Sequence, residues 1–347
     1  GPELRAVRAS LERATLEPGV ALDSDIANLG DRLRMVLPHG LATAIEIVLV
    51  RVARLPYQGQ RTTLSKAREV ALPTWLPLSR TLGGFYVVRP IVSGGGGSVF
   101  VARRRDEHDS ELVALKVPDY DGGAARNLSE QEFETMFREE AGALLAVPKH
   151  RNLAGFVTFD AGCRPKPILV MELVLGKSLD RVMSAGQLTV AQAFAIIDGI
   201  GAGLEAMHEA RVAHLDVKPQ NVILREAGVH ARVEPVLVDF GLSGRKLRPG
   251  CGSPHYAGPE VWSAKLAQGE PFTADVYAYA CLAYELLTGE ILLDAESLKE
   301  LISMHLAGVA EKRSAERLAT HKAGARLAPL FAAALAAKPS ARPTMAR

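Results

Sequence analysis

Cysteine is nearly missing: Cys163, Cys251 and Cys281 are the only three, an odd number, far apart and never in Cys-x-x-Cys spacing. That excludes a disulfide framework and a cysteine zinc site, and makes a reducing cytoplasm the expected setting. An excess of one charge is missing too. The 41 basic and 39 acidic side chains nearly cancel, so no global field holds a polyanion, nucleic acid is not an expected partner, and any nucleotide must bind locally. No long apolar run is present. The longest, over residues 41–55, is broken by Glu46, Arg51 and Arg54, and no membrane insertion is expected. Aromatics are few at 5%, yet 48% hydrophobic against 23% charged is a globular mixture rather than a disordered one. The opening Gly1-Pro2, without an initiator methionine, reads as a scar of tag cleavage, so a piece of a longer protein is expected.

Apolar positions recur at helical spacing from Leu4 to about Leu55, as in Ile26, Leu29, Leu33, Val36 and Leu37 behind the polar start Asp23-Ser24-Asp25. From Gln58 to Arg80 the chain turns polar and then proline-punctuated, as a surface connector would. Residues 1–80 therefore read as a helical N-terminal segment with its linker, and 81–347 as the main domain. In 81–173 the runs 85–92, 98–103, 112–117, 153–159 and 168–173, with a helix over 133–147, predict five strands and one helix in a small α+β lobe. In 174–347 the pattern turns mainly helical, over 190–209, 274–287, 295–305 and 326–337, with short apolar stretches at 221–224 and 236–238.

Between two strand-like runs lies Val92-Ser93-Gly94-Gly95-Gly96-Gly97-Ser98-Val99. Successive N–H groups there can fold over phosphate oxygens where any β-carbon would intrude, although a run of glycines alone is as well explained by a flexible turn. Val113-Ala114-Leu115-Lys116 places an ammonium on an apolar strand, where it needs an anion, and the helix over 133–147 offers Glu139 or Glu140. His214-Leu215-Asp216-Val217-Lys218-Pro219-Gln220-Asn221 and Asp239-Phe240-Gly241 add two carboxylates, an amide and a lysine. In-line phosphoryl transfer needs a carboxylate to accept the hydroxyl proton, here Asp216, and oxygen ligands for Mg²⁺, here Asn221 and Asp239. It also needs a cation near the migrating group, here Lys218. A capping aspartate or a strand end explains either string separately but not the ordered set.

These strings resemble the eukaryotic-like (Hanks-type) serine/threonine protein kinases, from about Gly84 to Arg347, and their Ala-, Arg-, Gly- and Leu-rich setting suggests a bacterial member. The resemblance implies an α+β bilobal protein-kinase fold, ATP and Mg²⁺ as cofactors and a protein substrate. It favours Glu140 as the partner of Lys116, with both catalytic. It makes Met171-Glu172-Leu173-Val174 the gatekeeper and hinge, and Val99, Ala114 and Leu224 the lining of the adenine slot. Val92, Gly94, Gly95, Gly96 and Gly97 cover the phosphates, and residues 252–260 form the substrate-binding loop. Asp275 is implied to anchor the catalytic loop, Arg342 to pair with Glu260, and His214 and Leu144 to stack with Phe240 in an apolar column. Lys218-Pro219 favours serine or threonine over tyrosine.

The string departs from the family at Val92, which replaces the opening glycine of the phosphate loop, and at Leu215, which replaces the arginine before the catalytic aspartate. A modest loss of ATP affinity and activity independent of loop phosphorylation are the expectations, the latter to be probed at Ser243 and Ser253. The sequence stops at Arg347, where the family normally adds a last helix, either trimmed away or shed, and a less stable second lobe is the expectation. A pseudokinase scaffold that binds nucleotide or a partner without transfer is the alternative, and a small-molecule kinase is disfavoured by residues 252–260. The apolar face Ile45, Val48, Leu49 and Val52 makes residues 3–80 a candidate surface for homodimerisation or a regulatory partner.

Overall fold

The computed structural model describes residues 72–94, 97–106, 111–118, 130–186, 188–225, 233–244, 246–247, 249–263, 265–266, 271–320 and 325–345. The chain divides into two units, Gly1–Glu69 and Val70–Arg347, and the described residues all belong to the second. The helical segment expected before residue 56, its apolar face and most of the linker lie outside the described residues. Leu72–Arg80 does not run free as a connector: Leu76 is buried and the Trp75 ring meets Phe100 edge-on at 6.0 Å.

Period-two patterning builds the upper lobe. Strands β1 (Thr81–Leu82), β2 (Phe85–Gly94), β3 (Gly97–Arg104), β4 (Val113–Val117), β5 (Phe156–Asp160) and β6 (Ile168–Glu172) form one antiparallel sheet in the order β1-β2-β3-β4-β6-β5. Alternate residues Leu115, Val117, Ile168 and Val170 enter one apolar cluster with Phe85, Val87 and Phe100. Their neighbours Leu169 and Met171 enter another, with Phe137, Ala141 and Leu144 of helix α1 (Glu130–Ala146).

The expected five strands become six. Thr81–Leu82 folds back on β2 through Gly83 and Gly84, whose φ angles of 50° and 83° suit the two-residue hairpin that Gly-Gly favours. The strand expected over 153–159 starts only at Phe156, because residues 152–154 clasp the lower lobe instead: Leu237 N–H donates to Asn152 at 2.8 Å and Ala154 N–H to Leu237 at 3.0 Å.

The lower lobe holds β7 (Gly176–Ser178), β8 (Val222–Arg225) and β9 (Glu234–Leu237) in a small antiparallel sheet. Around it stand helices α2 (Leu179–Ser184), α3 (Val190–Glu209), α4 (Pro259–Trp262), α5 (Phe272–Thr288), α6 (Leu298–Leu306), α7 (Val309–Ala319) and α8 (Ala328–Ala334). Thr189 and Gln192 close a capping box at the start of α3. That helix is long and apolar enough to cross a bilayer by length and composition, but Ile196, Ile200, Leu204 and Met207 bury its face in the core. Helix α7 went unpredicted because Ala310, Ser314 and Leu318 give it only a thin buried stripe. Helix α6 begins at Leu298 rather than at residue 295 because the Ser297 hydroxyl caps Glu300 N–H at 3.2 Å.

The lower lobe is tied across its base by Arg342, whose guanidinium meets Glu260 at 2.5 and 2.9 Å and donates to the carbonyls of Thr273 and Ala336, each at 2.8 Å. Both partners are buried. Arg342→Met strands a carboxylate in the core and should lower unfolding free energy by about 3–5 kcal/mol. Chemical denaturation checks this, and a loss below about 1 kcal/mol would show the pair to be dispensable.

Candidate active site

Strand alternation puts Lys116 on the face of β4 that turns away from Leu115 and Val117, toward α1. There its ammonium, almost fully buried, lies 2.7 Å from Glu140 Oε1 and 3.1 Å from Asp239 Oδ1. Burial alone would push the Lys116 pKa down, but the two carboxylates outweigh it and hold the group well above the ordinary lysine value. The same ammonium pulls Asp239 below the usual carboxylate range against the opposing effect of its partial burial. Glu139, the competing candidate, is exposed on α1. At Gly241 a β-carbon would come within 2.9 Å of Lys116 Nζ, so a larger residue there would press on the end of the lysine side chain.

A second cluster gathers around Asp216. Lys218 Nζ donates to its Oδ2 at 2.7 Å, and Asn221 Nδ2 to the same oxygen and to the Asp216 carbonyl, each at 2.9 Å. The Ser253 hydroxyl donates to Oδ1 at 2.7 Å and accepts from Lys218 at 2.9 Å. The clusters are joined through the backbone, since Val238 N–H donates to the Asn221 carbonyl at 2.9 Å. The turn itself is held from below. Leu215 has φ of 65°, a left-handed conformation costly for a branched side chain, and fully buried Asp275 receives the N–H groups of His214 and Leu215 at 2.8 and 2.7 Å. His208 Nε2 sits 2.8 Å from the same carboxylate.

Strands β2 and β3 stay paired up to the glycine run: Val92 pairs with Val99, Ser93 with Ser98 and Gly94 with Gly97, while Gly95 and Gly96 lie outside the described residues. At Gly97, φ is 122° and a β-carbon would lie 2.5 Å from the Val117 carbonyl, so the turn over β4 requires glycine. In register, Val99 stands opposite Lys116, and Ala114 opposite Met171. Val174 and Leu224 flank the lower core as half-buried apolar contacts. His214 packs against Phe240 with ring centres 5.3 Å apart and planes tilted by 47°, rather than stacked, and Leu144 joins the same core as Phe240.

Across the connector, the Glu172 side chain takes Arg225 at 2.5 Å and Gly155 N–H at 3.1 Å. Burial works to raise its pKa, and these two partners bring it below the ordinary value.

The family model described as the protein kinase domain matches residues 85–347. The chain belongs to the protein kinase family. The kinase domain is 31% identical to serine/threonine-protein kinase pkn2 of Myxococcus xanthus over 241 residues, which cover 64% of this chain and 26% of that protein. It is 30% identical to serine/threonine-protein kinase PknD of Mycobacterium tuberculosis over 243 residues, 67% of this chain and 34% of that one. With serine/threonine-protein kinase PknL of Mycobacterium bovis it shares 31% identity over 246 residues, 68% and 57% of the two chains. The chain thus spans between about a quarter and just over half of these curated relatives.

Sequence reasoning missed two site features. Ser253 entered it as a loop hydroxyl and substrate contact, yet it bridges Asp216 and Lys218; its place beside Gly252 and Pro254 was the only signal. Glu172 entered as hinge backbone, but its side chain bonds the lower lobe. Ser243 also changes standing as a probe. It is buried and donates to the His214 carbonyl at 3.2 Å, so Ser243→Ala tests packing rather than phosphorylation. Asp275→Asn replaces one accepting oxygen by an NH2 group that faces one of the two backbone N–H groups and leaves it unsatisfied, which should cost about 3 kcal/mol in denaturant unfolding. A near-neutral result would mean that the strained turn at Leu215 holds without it.

Proposed function

We propose that the chain transfers the γ-phosphoryl group of Mg-ATP to serine or threonine hydroxyls of protein substrates, as a signalling enzyme. The observation that carries this is the mutual bonding of Asp216, Lys218, Asn221 and Ser253, next to the buried Lys116–Glu140 pair and the half-exposed Asp239 that joins it. Mg-ATP supplies the migrating group and the charge that neutralises it. Asp216 orients the acceptor hydroxyl and takes its proton, and Lys218 places a cation beside it. Lys116, held by Glu140, offers its ammonium to phosphate oxygens, while the backbone of the glycine hairpin covers them.

The residues fit the metal. Asn221 commits Nδ2 to Asp216, and its Oδ1 has no hydrogen-bond partner among the described residues. Asp239 is half-exposed and engages Lys116 and Gly241 N–H through Oδ1 only. Two hard oxygen ligands suit a Mg²⁺ shared with phosphates and water. The Met171–Val174 connector and Val99, Ala114 and Leu224 support an adenine slot. The names of the relatives, all serine/threonine-protein kinases, agree with Lys218 in favouring serine or threonine. We also propose a cytoplasmic setting, on the scarce free thiols, and a second copy or a regulatory partner on residues 3–80, on the apolar helical spacing there.

Loop phosphorylation has no place in this reading. Between Asp239 and Glu260 the only hydroxyls are Ser243, Ser253 and Tyr256. Ser243 is buried, Ser253 is engaged by Asp216 and Lys218, and Tyr256 is buried and donates to Glu285 at 2.7 Å. The segment is fastened instead by paired backbone bonds between Ala213 and Gly244 at 2.9 and 3.0 Å.

Incubation with γ-labelled ATP and Mg²⁺ should label a protein acceptor, and Lys116→Met and Asp216→Asn should each cut the rate by at least about 10²-fold. Phosphatase pretreatment should leave the rate unchanged. Nucleotide binding without transfer by the unmodified chain would sink the proposal, and a rate that collapses after phosphatase would sink its phosphorylation-independent part.

A further inference from the structure

His305, in the last turn of α6, is completely buried. Its Nδ1 lies 2.7 Å from the Tyr277 hydroxyl in α5 and its Nε2 2.9 Å from the Pro254 carbonyl, in the loop formed by residues 252–260. A carbonyl only accepts, so Nε2 carries the proton and Nδ1 of the neutral ring accepts from the tyrosine. Burial pushes the His305 pKa down to about 4; the Pro254 carbonyl pulls it up and nearby His255 adds to the fall. The ring is therefore neutral at physiological pH. Tyr277 in turn lies under the Arg342 guanidinium, 4.7 Å from its ring centre, and Arg342 grips Glu260 at the far end of the same loop.

A buried histidine needs two partners wherever it stands, and packing alone would be served by leucine. The position of the bond is what separates these cases. Pro254 directly follows Ser253, whose hydroxyl touches Asp216 and Lys218. Tyr256 and Ala257 send their N–H groups back to Ser253, so the turn is internally bonded but needs an anchor to the helical scaffold. His305 supplies one at the residue beside the catalytic contact.

We propose that His305 is a positioning residue for the protein substrate, its neutral imidazole fastening the loop at Pro254 so that the acceptor segment is presented to Asp216. This rests on the phosphoryl-transfer reading above.

His305→Leu fills the site without polar atoms, and His305→Gln restores one acceptor and one donor. With a degenerate serine-peptide mixture and Mg-ATP, His305→Leu should raise the peptide KM about tenfold, the equivalent of one net hydrogen bond. The KM for ATP and the slow hydrolysis of ATP by water should stay unchanged, and His305→Gln should recover most of the loss. An unchanged peptide KM, or equal rises in both KM values, overturns the proposal. Amide exchange of residues 252–258 gives a readout independent of activity: faster exchange in His305→Leu, slowed again in His305→Gln, supports the fastening, and identical exchange in all three overturns it. A wild-type chain that transfers nothing would defeat the phosphoryl-transfer reading while the exchange comparison still decides whether the loop is fastened.

Discussion

One buried ammonium organises the upper half of the cleft. Lys116 has left water almost completely, and an uncompensated charge in that position would cost several kcal/mol. Glu140 reaches it from α1 and Asp239 from beyond β9, so a helix, a sheet and the lower lobe must all be in place before the charge is satisfied. The alternation of β4 and the glycine at position 241 follow from this constraint. The first turns the lysine to the right face and the second leaves room beside it.

The lower half relies on another kind of compensation. Two residues of the site, Leu215 and Asp239, have positive φ, which side chains other than glycine adopt at a cost. The buried carboxylate of Asp275 offsets the first by taking two backbone N–H groups, and the Lys116 contact stands beside the second. Strain of this kind persists only where the surroundings over-determine it. The depth of the fastening beneath the site, through Asp275, His208 and the Arg342–Glu260 pair, is consistent with that requirement.

Much of this was legible in the sequence because the chemistry is written in contiguous strings. Asp216, Lys218 and Asn221 sit on one turn, so spacing alone brought them together, and Lys116 was exposed by being a charge in an apolar strand. What remained hidden depends on partners far away in the chain. His305 meets groups 28 and 51 residues distant, and the histidine itself sits in an ordinary amphipathic helix. The clasp of Asn152 and Ala154 on Leu237 turned the first residues of an expected strand into a bridge between lobes, which local propensity has no means of registering. Helix α7 escaped because a small serine and alanine serve as its buried face.

The bonds of Glu172 run further than the connector. Arg225 also meets Glu234 at 3.2 Å, and Glu234 meets Arg151 at 2.8 Å, so acid and base alternate from Glu172 to Arg151. The Glu172 and Arg225 side chains keep about a third of their surface in water (36% and 29%), where such a pair contributes at most about 1 kcal/mol. A contribution of that size changes any equilibrium constant it bears on by no more than about fivefold. The row of charges therefore holds β6 to the lower-lobe sheet only weakly, and dissolved ions would weaken it further.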